Sequence, residues 1–216
     1  MTVFTEGQHK AEFLVTEAEG TLSRETGTIL LGQNLKAGHV LGRVTVGAAS
    51  GVAASSNAGN GTISDVSAGS SAKPGVYTVV CVEPAANAGT FVLEDPEGVT
   101  LGTVNVGVAY AGAVNFKLND GAVDFASGDR FLVTVAEGSG KYKEYNPANT
   151  DGSQTAVAIL LDNVDASATD KQSVVIARQA EINAAEIVWF TGATSDQKTA
   201  GLNQLKKQTI IARSAV

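Results

Sequence analysis

The residues best suited to chemistry in this chain are two histidines and one cysteine, and their positions disfavour a catalytic or metal site. His9 lies in a polar segment and His39 lies beside a glycine. Neither is followed by a second histidine four residues later, as a zinc-binding helix requires. Cys81 lies in the apolar run VYTVVCV, which predicts a small buried side chain. We therefore predict that the protein is not an enzyme and has no catalytic, metal or cofactor site.

Several short motifs match part of a catalytic or binding loop and then depart from it. GSGKYK at 138–143 has Tyr142 where a phosphate-binding loop has serine or threonine, which favours a turn. SSAK at 70–73 and SDQK at 195–198 match S-x-x-K, but no S-D-N or K-T-G motif accompanies them. The aspartates of NDGAVDFASGD and LDNVDASATD lack the spacing of a calcium-binding loop and are typical of turns.

The composition and charge favour a β-rich protein that binds neither nucleic acid nor membranes. Of 216 residues, 24 are glycine and 4 are proline, and many are Val or Thr, which favours strands and tight turns. The formal charge of −7 provides no basic surface for nucleic acid or for an anionic membrane. No apolar run is long enough to span a bilayer, and the N-terminus lacks the pattern of a secretory signal. We therefore expect the protein to be made and used in a cytoplasm.

Residues 48–138 are predicted to form a separate acidic β domain. They contain nine acidic and three basic residues, and so carry −6 of the total charge of −7. The small residues at 47–61 are typical of a flexible connection. Alternating apolar residues then predict antiparallel strands, with Phe116 and Leu118 facing the core and Lys117 facing solvent. The predicted strands are 76–82, 90–95, 103–110, 113–120 and 131–137.

Residues 1–28 are predicted to form an N-terminal arm, because apolar residues are sparse there apart from Phe13–Val15. Two alternatives remain open for this arm. It is a disordered terminus, or it folds on a partner, for example as a strand added to the partner's sheet.

Residues 29–47 and 139–216 are predicted to form a small mixed β core with a short C-terminal helix. The helix is expected at 194–208, where Thr194 and Gln197 can form a capping box and Lys206 and Lys207 lie in the last turn. Strands are expected at 29–46, 141–145, 155–164, 173–182 and 209–216. The fold class is therefore mainly β or α+β, interrupted by an inserted antiparallel β domain.

The segments that flank 48–138 resemble the lambda-type head decoration protein family of bacteriophages. The resemblance covers roughly residues 17–46 and 139–216, and it depends on the order and spacing of several features rather than on one motif. In the C-terminal segment these features are Asp151-Gly152, Ala156–Leu161, Asp162–Asp170, Val174–Arg178, Glu186–Trp189, Ser195–Lys207 and Thr209–Ala212. Residues 48–138 depart from the short members of the family, so the role of this insert does not follow from the resemblance.

The resemblance implies a structural protein of the virion. It implies that a homotrimer binds the major capsid protein on the outside of the head and stabilises the DNA-filled capsid, after assembly in the cytoplasm of the bacterial host. The arm would order on the capsid, and Trp189 would lie in the trimer interface or in the core. The arm residues proposed to contact the capsid are Phe13, Leu14, Val15, Leu22, Arg24 and Glu25.

A second hypothesis assigns the chain to a different phage structural module. In that hypothesis the acidic, Gly- and Thr-rich insert acts as an adhesin that binds a cell-surface ligand. Deletion of residues 48–138 separates the two hypotheses, because decoration predicts that head binding survives.

Overall fold

The computed structural model describes residues 7–213, which divide into two compact units. The first unit comprises the chain up to residue 44 together with the chain from residue 140 onward, and the second comprises residues 45–139. Both units are built mainly from β-strands, and the predicted C-terminal helix is present, so the predicted fold class is confirmed.

The first unit contains a closed five-stranded barrel, a three-stranded sheet and a two-stranded sheet. Its elements are β1 (Leu14–Glu17), α1 (Gly20–Ser23), β2 (Arg24–Ile29), β3 (Gln33–Leu35), β4 (Val40–Arg43), β13 (Tyr142–Glu144), β14 (Ala156–Leu160), β15 (Val164–Ala166), β16 (Lys171–Ile176), β17 (Ala180–Asn183), α2 (Ser195–Lys207) and β18 (Ile210–Arg213). The strand order of the barrel is β13-β2-β16-β14-β4. Buried side chains of its strands, among them Ile29, Leu41 and Leu160, form a hydrophobic core cluster.

The three-stranded sheet of the first unit has the order β1-β17-β18. The strand β1 runs antiparallel to β17, whereas β18 runs parallel to it. The strand predicted at 173–182 is in fact two strands, β16 and β17, because Gln179 adopts a left-handed conformation with φ of 51° between them. The break allows β16 to stay in the barrel while β17 joins the second sheet.

The helix α2 begins and ends where the sequence predicts. The Thr194 hydroxyl accepts a hydrogen bond from the Gln197 N–H at 3.3 Å, and the Gln197 side chain accepts one from the Thr194 N–H at 2.9 Å. This reciprocal pair satisfies two N–H groups that a helix leaves without intrahelical partners. A Cβ at Gly201 would lie 2.5 Å from the Trp189 ring, so this glycine allows the ring to pack against the helix.

The second unit is a sandwich of two antiparallel sheets. Its strands are β5 (Val46–Ala53), β6 (Thr62–Ala68), β7 (Gly75–Ala85), β8 (Ala88–Glu94), β9 (Thr100–Asn105), β10 (Ala109–Tyr110), β11 (Val114–Asn119) and β12 (Arg130–Glu137). The five-stranded sheet has the order β5-β12-β7-β8-β9 and the three-stranded sheet has the order β10-β11-β6. As predicted, Phe116, Leu118 and Cys81 are buried in the core between the sheets.

Residues 46–53 correct the prediction of a flexible connection at 47–61. They form β5, which pairs with β12 along its length. Packing requires glycine at position 51, since a Cβ there would lie 2.9 Å from Val66 and 3.0 Å from Ile63. The strand predicted at 103–110 is also corrected, because a turn at Gly107, with φ of 80°, separates β9 from β10.

The chain leaves and re-enters the first unit at two neighbouring points. The Val44 N–H donates a hydrogen bond to the Lys141 carbonyl at 2.9 Å, and the Gly140 N–H donates one to the Val44 carbonyl at 2.8 Å. These bonds continue the antiparallel pairing of β4 with β13. In the second unit, Val46 pairs with Glu137, so its two ends are also adjacent.

Candidate functional site

The structure places much of the predicted arm inside the first unit rather than apart from it. Phe13 is 1 % exposed and belongs to a core cluster with Val40, Tyr145 and Ile182. Residues 14–17 and 24–29 form β1 and β2, which pair with strands of the same chain. Phe13 is therefore corrected from a surface contact to a core residue, and residues 1–6 of the predicted arm lie outside the described residues.

The other apolar residues proposed for the capsid contact differ in exposure. Leu14 is half-buried and packs against the same core cluster as Phe13. Val15 is 57 % exposed, because the pairing of β1 with β17 shifts between Leu14 and Thr16 and leaves Val15 in a bulge. Leu22, in the single turn of α1, is 50 % exposed. Val15 and Leu22 are therefore available to a partner surface.

The two charged residues proposed for the contact each form an ion pair. Arg24 Nε lies 3.0 Å from Glu17 Oε1, and a second nitrogen of Arg24 bonds the same carboxylate. The hydrogen bond from Arg24 lowers the pKa of Glu17, so the pair is charged at neutral pH. Glu25 is paired with Arg178, which also donates a hydrogen bond to the Leu22 carbonyl at 3.0 Å.

We call the residues of these two neighbouring ion pairs, together with Leu22, the ion-pair patch: Glu17, Leu22, Arg24, Glu25 and Arg178. Between its members, the buried Ser23 hydroxyl bonds Glu17, and the Ser23 carbonyl accepts the Ala177 N–H at 2.9 Å. The exposed Leu22 therefore lies close in the chain to charged groups that already have partners. Protein interfaces commonly combine exposed apolar side chains with hydrogen-bonding groups.

Two members of the ion-pair patch were missing from the predicted site residues. Glu17 is seven residues from Arg24 in sequence, and Arg178 is 153 residues from Glu25. In the sequence, Arg178 stands out only as the last residue of the segment Val174–Arg178, which resembles the decoration family. Its ion pair with Glu25 forms because β16 pairs with β2.

Trp189 packs against the core of its own chain. Its ring centroid lies 6.0 Å from that of Tyr145, with an edge-to-face angle of 68°, and the ring also meets Gly201 of α2. The side chain stays partly exposed at its outer edge. Its role in a trimer interface therefore stays a prediction.

His39 is the histidine with a perturbed environment. Its side chain is 11 % exposed, and its Nε2 lies 3.5 Å from Glu144 Oε1. Its Nδ1 accepts a hydrogen bond from the Lys36 backbone N–H at 2.9 Å. Burial lowers the pKa of His39. No group of three or more His, Cys, Asp or Glu side chains within residues 7–213 is placed to hold a metal ion.

The lowered pKa predicts a pH-dependent stability of the first unit. The unfolded chain binds a proton more readily than folded His39, so stability is complete above the unfolded pKa of about 6.5 and falls as the pH drops towards the folded pKa. Substitution His39→Gln should cost about 1 kcal/mol at pH 7.5, from its lost hydrogen bond. The difference between the two proteins should narrow at pH 5. Urea unfolding followed by fluorescence of Trp189, the one tryptophan of the chain, measures it. A difference that is independent of pH would contradict this prediction.

No helix formed by residues 7–213 is long and apolar enough to cross a membrane. Solved structures similar to the chain include two crystal forms of FlgL from Xanthomonas campestris, at 22 % and 21 % identity and a TM-score of 0.33 for both. Each match covers 50 % of this chain and 34 % or 33 % of FlgL. The flagellar hook junction protein FlgK from Burkholderia pseudomallei is 21 % identical over 60 % of this chain and 23 % of FlgK, with a TM-score of 0.34. The chain thus spans about a third of FlgL and a quarter of FlgK.

No curated protein matches the chain. A family model, described as bacteriophage lambda head decoration protein D, matches residues 3–210. The match extends over nearly the whole length, including the segment that forms the second unit. The protein therefore belongs to the family of the bacteriophage lambda head decoration protein D.

Proposed function

We propose that this protein binds the outer surface of an assembled phage head as a trimer and stabilises the DNA-filled capsid. The observation that carries the proposal is the match of residues 3–210 to a family of head decoration proteins. Membership of that family assigns the general role, and the major capsid protein is the partner that this role implies. The trimer, the stabilisation and the contact residues are parts of the proposal.

The ion-pair patch is proposed as the contact with the capsid. Leu22 is 50 % exposed, and both arginines are already neutralised by carboxylates of the same chain. Docking on such a surface removes apolar area from water without leaving an unpaired charge in the interface. The copies on one head share a repeated surface, so modest contacts per copy are sufficient when a trimer binds through three of them.

The first experiment is co-sedimentation of the purified chain with undecorated, expanded heads of its own phage. Substitution Leu22→Asp places a new, unpaired carboxylate in the patch, and we expect it to weaken head binding at least tenfold. The matched control is Leu31→Asp, because Leu31 is a leucine of the same unit with a similar exposure of 53 %. Leu31 lies beyond the other end of β2, so this variant should bind as the wild type does. Equal binding by both variants would remove the patch from the interface.

A second variant tests which unit binds. The hydrogen bonds between Val44 and residues 140–141 allow residues 46–138 to be replaced by Asn-Gly, a favoured two-residue hairpin turn. The shortened chain should bind heads with unchanged affinity if the first unit provides the contact. Loss of binding by a folded shortened chain would transfer the contact to the second unit. In solution, sedimentation equilibrium of the wild type at low concentration should give three times the chain mass of 22.0 kDa.

A further inference from the structure

The five-stranded sheet of the second unit has one face on which no other part of that unit packs. Its inner face supplies Tyr77, Val79, Phe91 and Phe131 to the core. Successive side chains of a strand alternate between faces, so the neighbouring residues point outward. We call these the outer face: Ser50, Val52, Val76, Thr78, Val80, Val82, Glu83, Thr90, Val92, Glu94, Thr103, Asn105, Arg130, Leu132 and Thr134.

The outer face carries six apolar side chains, although the unit that carries it is strongly acidic. Val52 is 59 % exposed, and Val76 and Val82 are each 45 % exposed. Val80, Val92 and Leu132 are half-buried among them. Soluble monomers rarely leave a contiguous apolar surface of this kind, which marks interaction sites.

The outer face carries three charged residues: Arg130, Glu94 and, near the end of β7, Glu83. Arg130 and Glu94 do not meet each other. Arg130 on β12 lies opposite Val80 of β7, whereas Glu94 on β8 lies opposite Thr78 of β7. They are therefore two strands apart, roughly 10 Å across the sheet, and one row apart along it. Neither side chain has an ion-pair or hydrogen-bond partner among the residues that the structure describes.

The positions of Arg130 and Glu94 allow these two residues to pair with their counterparts in a second copy of the face. Arg130 and Glu94 lie at equal distances on either side of the point midway between Thr78 and Val80. A second copy can be placed face to face with the first, related by a twofold axis that lies between the two faces. The axis runs parallel to the sheets above that point, perpendicular to the line from Arg130 to Glu94. Each arginine then meets the glutamate of the other copy, and the valines between them pack together.

We infer that the outer face binds the outer face of a second copy of this chain through reciprocal Arg130–Glu94 ion pairs. The reciprocal pairing supports this occupant, because each copy presents the cation that the anion of the other copy requires. Glu83, near the end of β7, adds one further carboxylate to the face.

The size of the face predicts a weak contact for isolated molecules. Five strands about 4.8 Å apart give a face of roughly 400–500 Å², below the roughly 800 Å² per partner of a standard interface. Copies held on a common surface experience a high effective concentration, which makes a weak contact sufficient. This inference rests on the proposed function at one point. If the chain is a trimer, a twofold contact cannot close within it and must join two different trimers.

The test is sedimentation equilibrium of the full chain up to about 1 mM, where a contact with a dissociation constant of about 1 mM is detectable. We expect the wild type to self-associate, Arg130→Glu and Glu94→Arg each to weaken association at least tenfold, and the double variant to restore it. Lys117→Glu is the matched control, because it changes the charge of the same unit equally but lies on the three-stranded sheet. It should associate as the wild type does.

The masses also separate this inference from the proposed trimer. If both hold, Arg130→Glu is a trimer and the wild type forms dimers of trimers or larger species. If only the outer-face contact holds, Arg130→Glu is a monomer and the wild type is a dimer. Equal association by Arg130→Glu and Lys117→Glu, or a double variant that stays dissociated, would overturn the inference.

Cross-linking provides a second measurement of the same contact. Cys81 is buried, so Thr78→Cys introduces an exposed thiol close to the proposed axis. Mild oxidation should produce a disulfide-linked dimer of this variant. The control Val123→Cys has an exposed thiol outside the outer face and should stay largely unlinked. Equal linking of both variants counts against the contact.

Discussion

Substitution Phe13→Ala is expected to lower the free energy of unfolding of the first unit by about 3–5 kcal/mol. The Phe13 side chain is 1 % exposed and lies among Val40, Tyr145 and Ile182, so its removal leaves a cavity in a packed core. The Phe13 carbonyl also accepts the Asn183 N–H at 2.8 Å, which fixes the backbone around that cavity. Urea unfolding followed by Trp189 fluorescence reports on this unit.

The control for this prediction is Val15→Ala, two residues away in the same predicted arm. Val15 is 57 % exposed, and its truncation should change stability by less than about 0.5 kcal/mol. The pair of variants decides between two states of the segment in the free protein. If residues around Phe13 formed a detached arm that orders only on the capsid, neither substitution would change the stability of the free chain.

Substitution Gly42→Ala is expected to destabilise the first unit by at least about 3 kcal/mol, at the upper end of overpacking effects. A Cβ at Gly42 would lie 2.3 Å from the Ser153 carbonyl oxygen and 2.5 Å from Ser153 Cα. These are backbone atoms of a fully buried residue, whose hydroxyl bonds both Asp151 and Asn149. Neither the strand nor the loop can therefore move aside cheaply.

Thermal unfolding and head binding measure the effect of Gly42→Ala together. We expect a large drop in the melting temperature of the first unit and loss of head binding at 37 °C. Gly7→Ala is the control, because a Cβ at Gly7 would have no neighbour within 4 Å and its backbone is not left-handed. A Gly42→Ala variant as stable as Gly7→Ala would show that the loop at Ser153 can give way.

Local patterns in the sequence predicted the elements whose cause is local. The capping box at Thr194 and Gln197 determines where α2 begins, and both residues lie within one turn of each other. The alternation of Phe116, Lys117 and Leu118 likewise predicted which face of β11 is buried, since strand periodicity acts over neighbouring residues.

Features that depend on distant partners could not be predicted in this way. Residues 46–53 consist mostly of Gly, Ala and Ser, which is typical of a flexible connection when β12 and Val66 are unknown. Phe13 lies in a polar segment, and its burial depends on a core formed from residues up to 210. The candidate site was predicted in part for the same reason, because Arg178 reaches Glu25 only through the pairing of β16 with β2.

The adjacency of the two ends of the second unit has a consequence for the folding order of the chain. Pairing β4 with β13 closes a loop of about 95 residues, which costs about 3 kcal/mol more chain entropy than closing a four-residue turn. When the second unit folds first, its Val46–Glu137 pairing brings the two points of the first unit together and removes most of that cost. The inserted sandwich thus acts on the barrel as a preformed hairpin turn, and its folding should accelerate closure of the barrel that surrounds the insertion point.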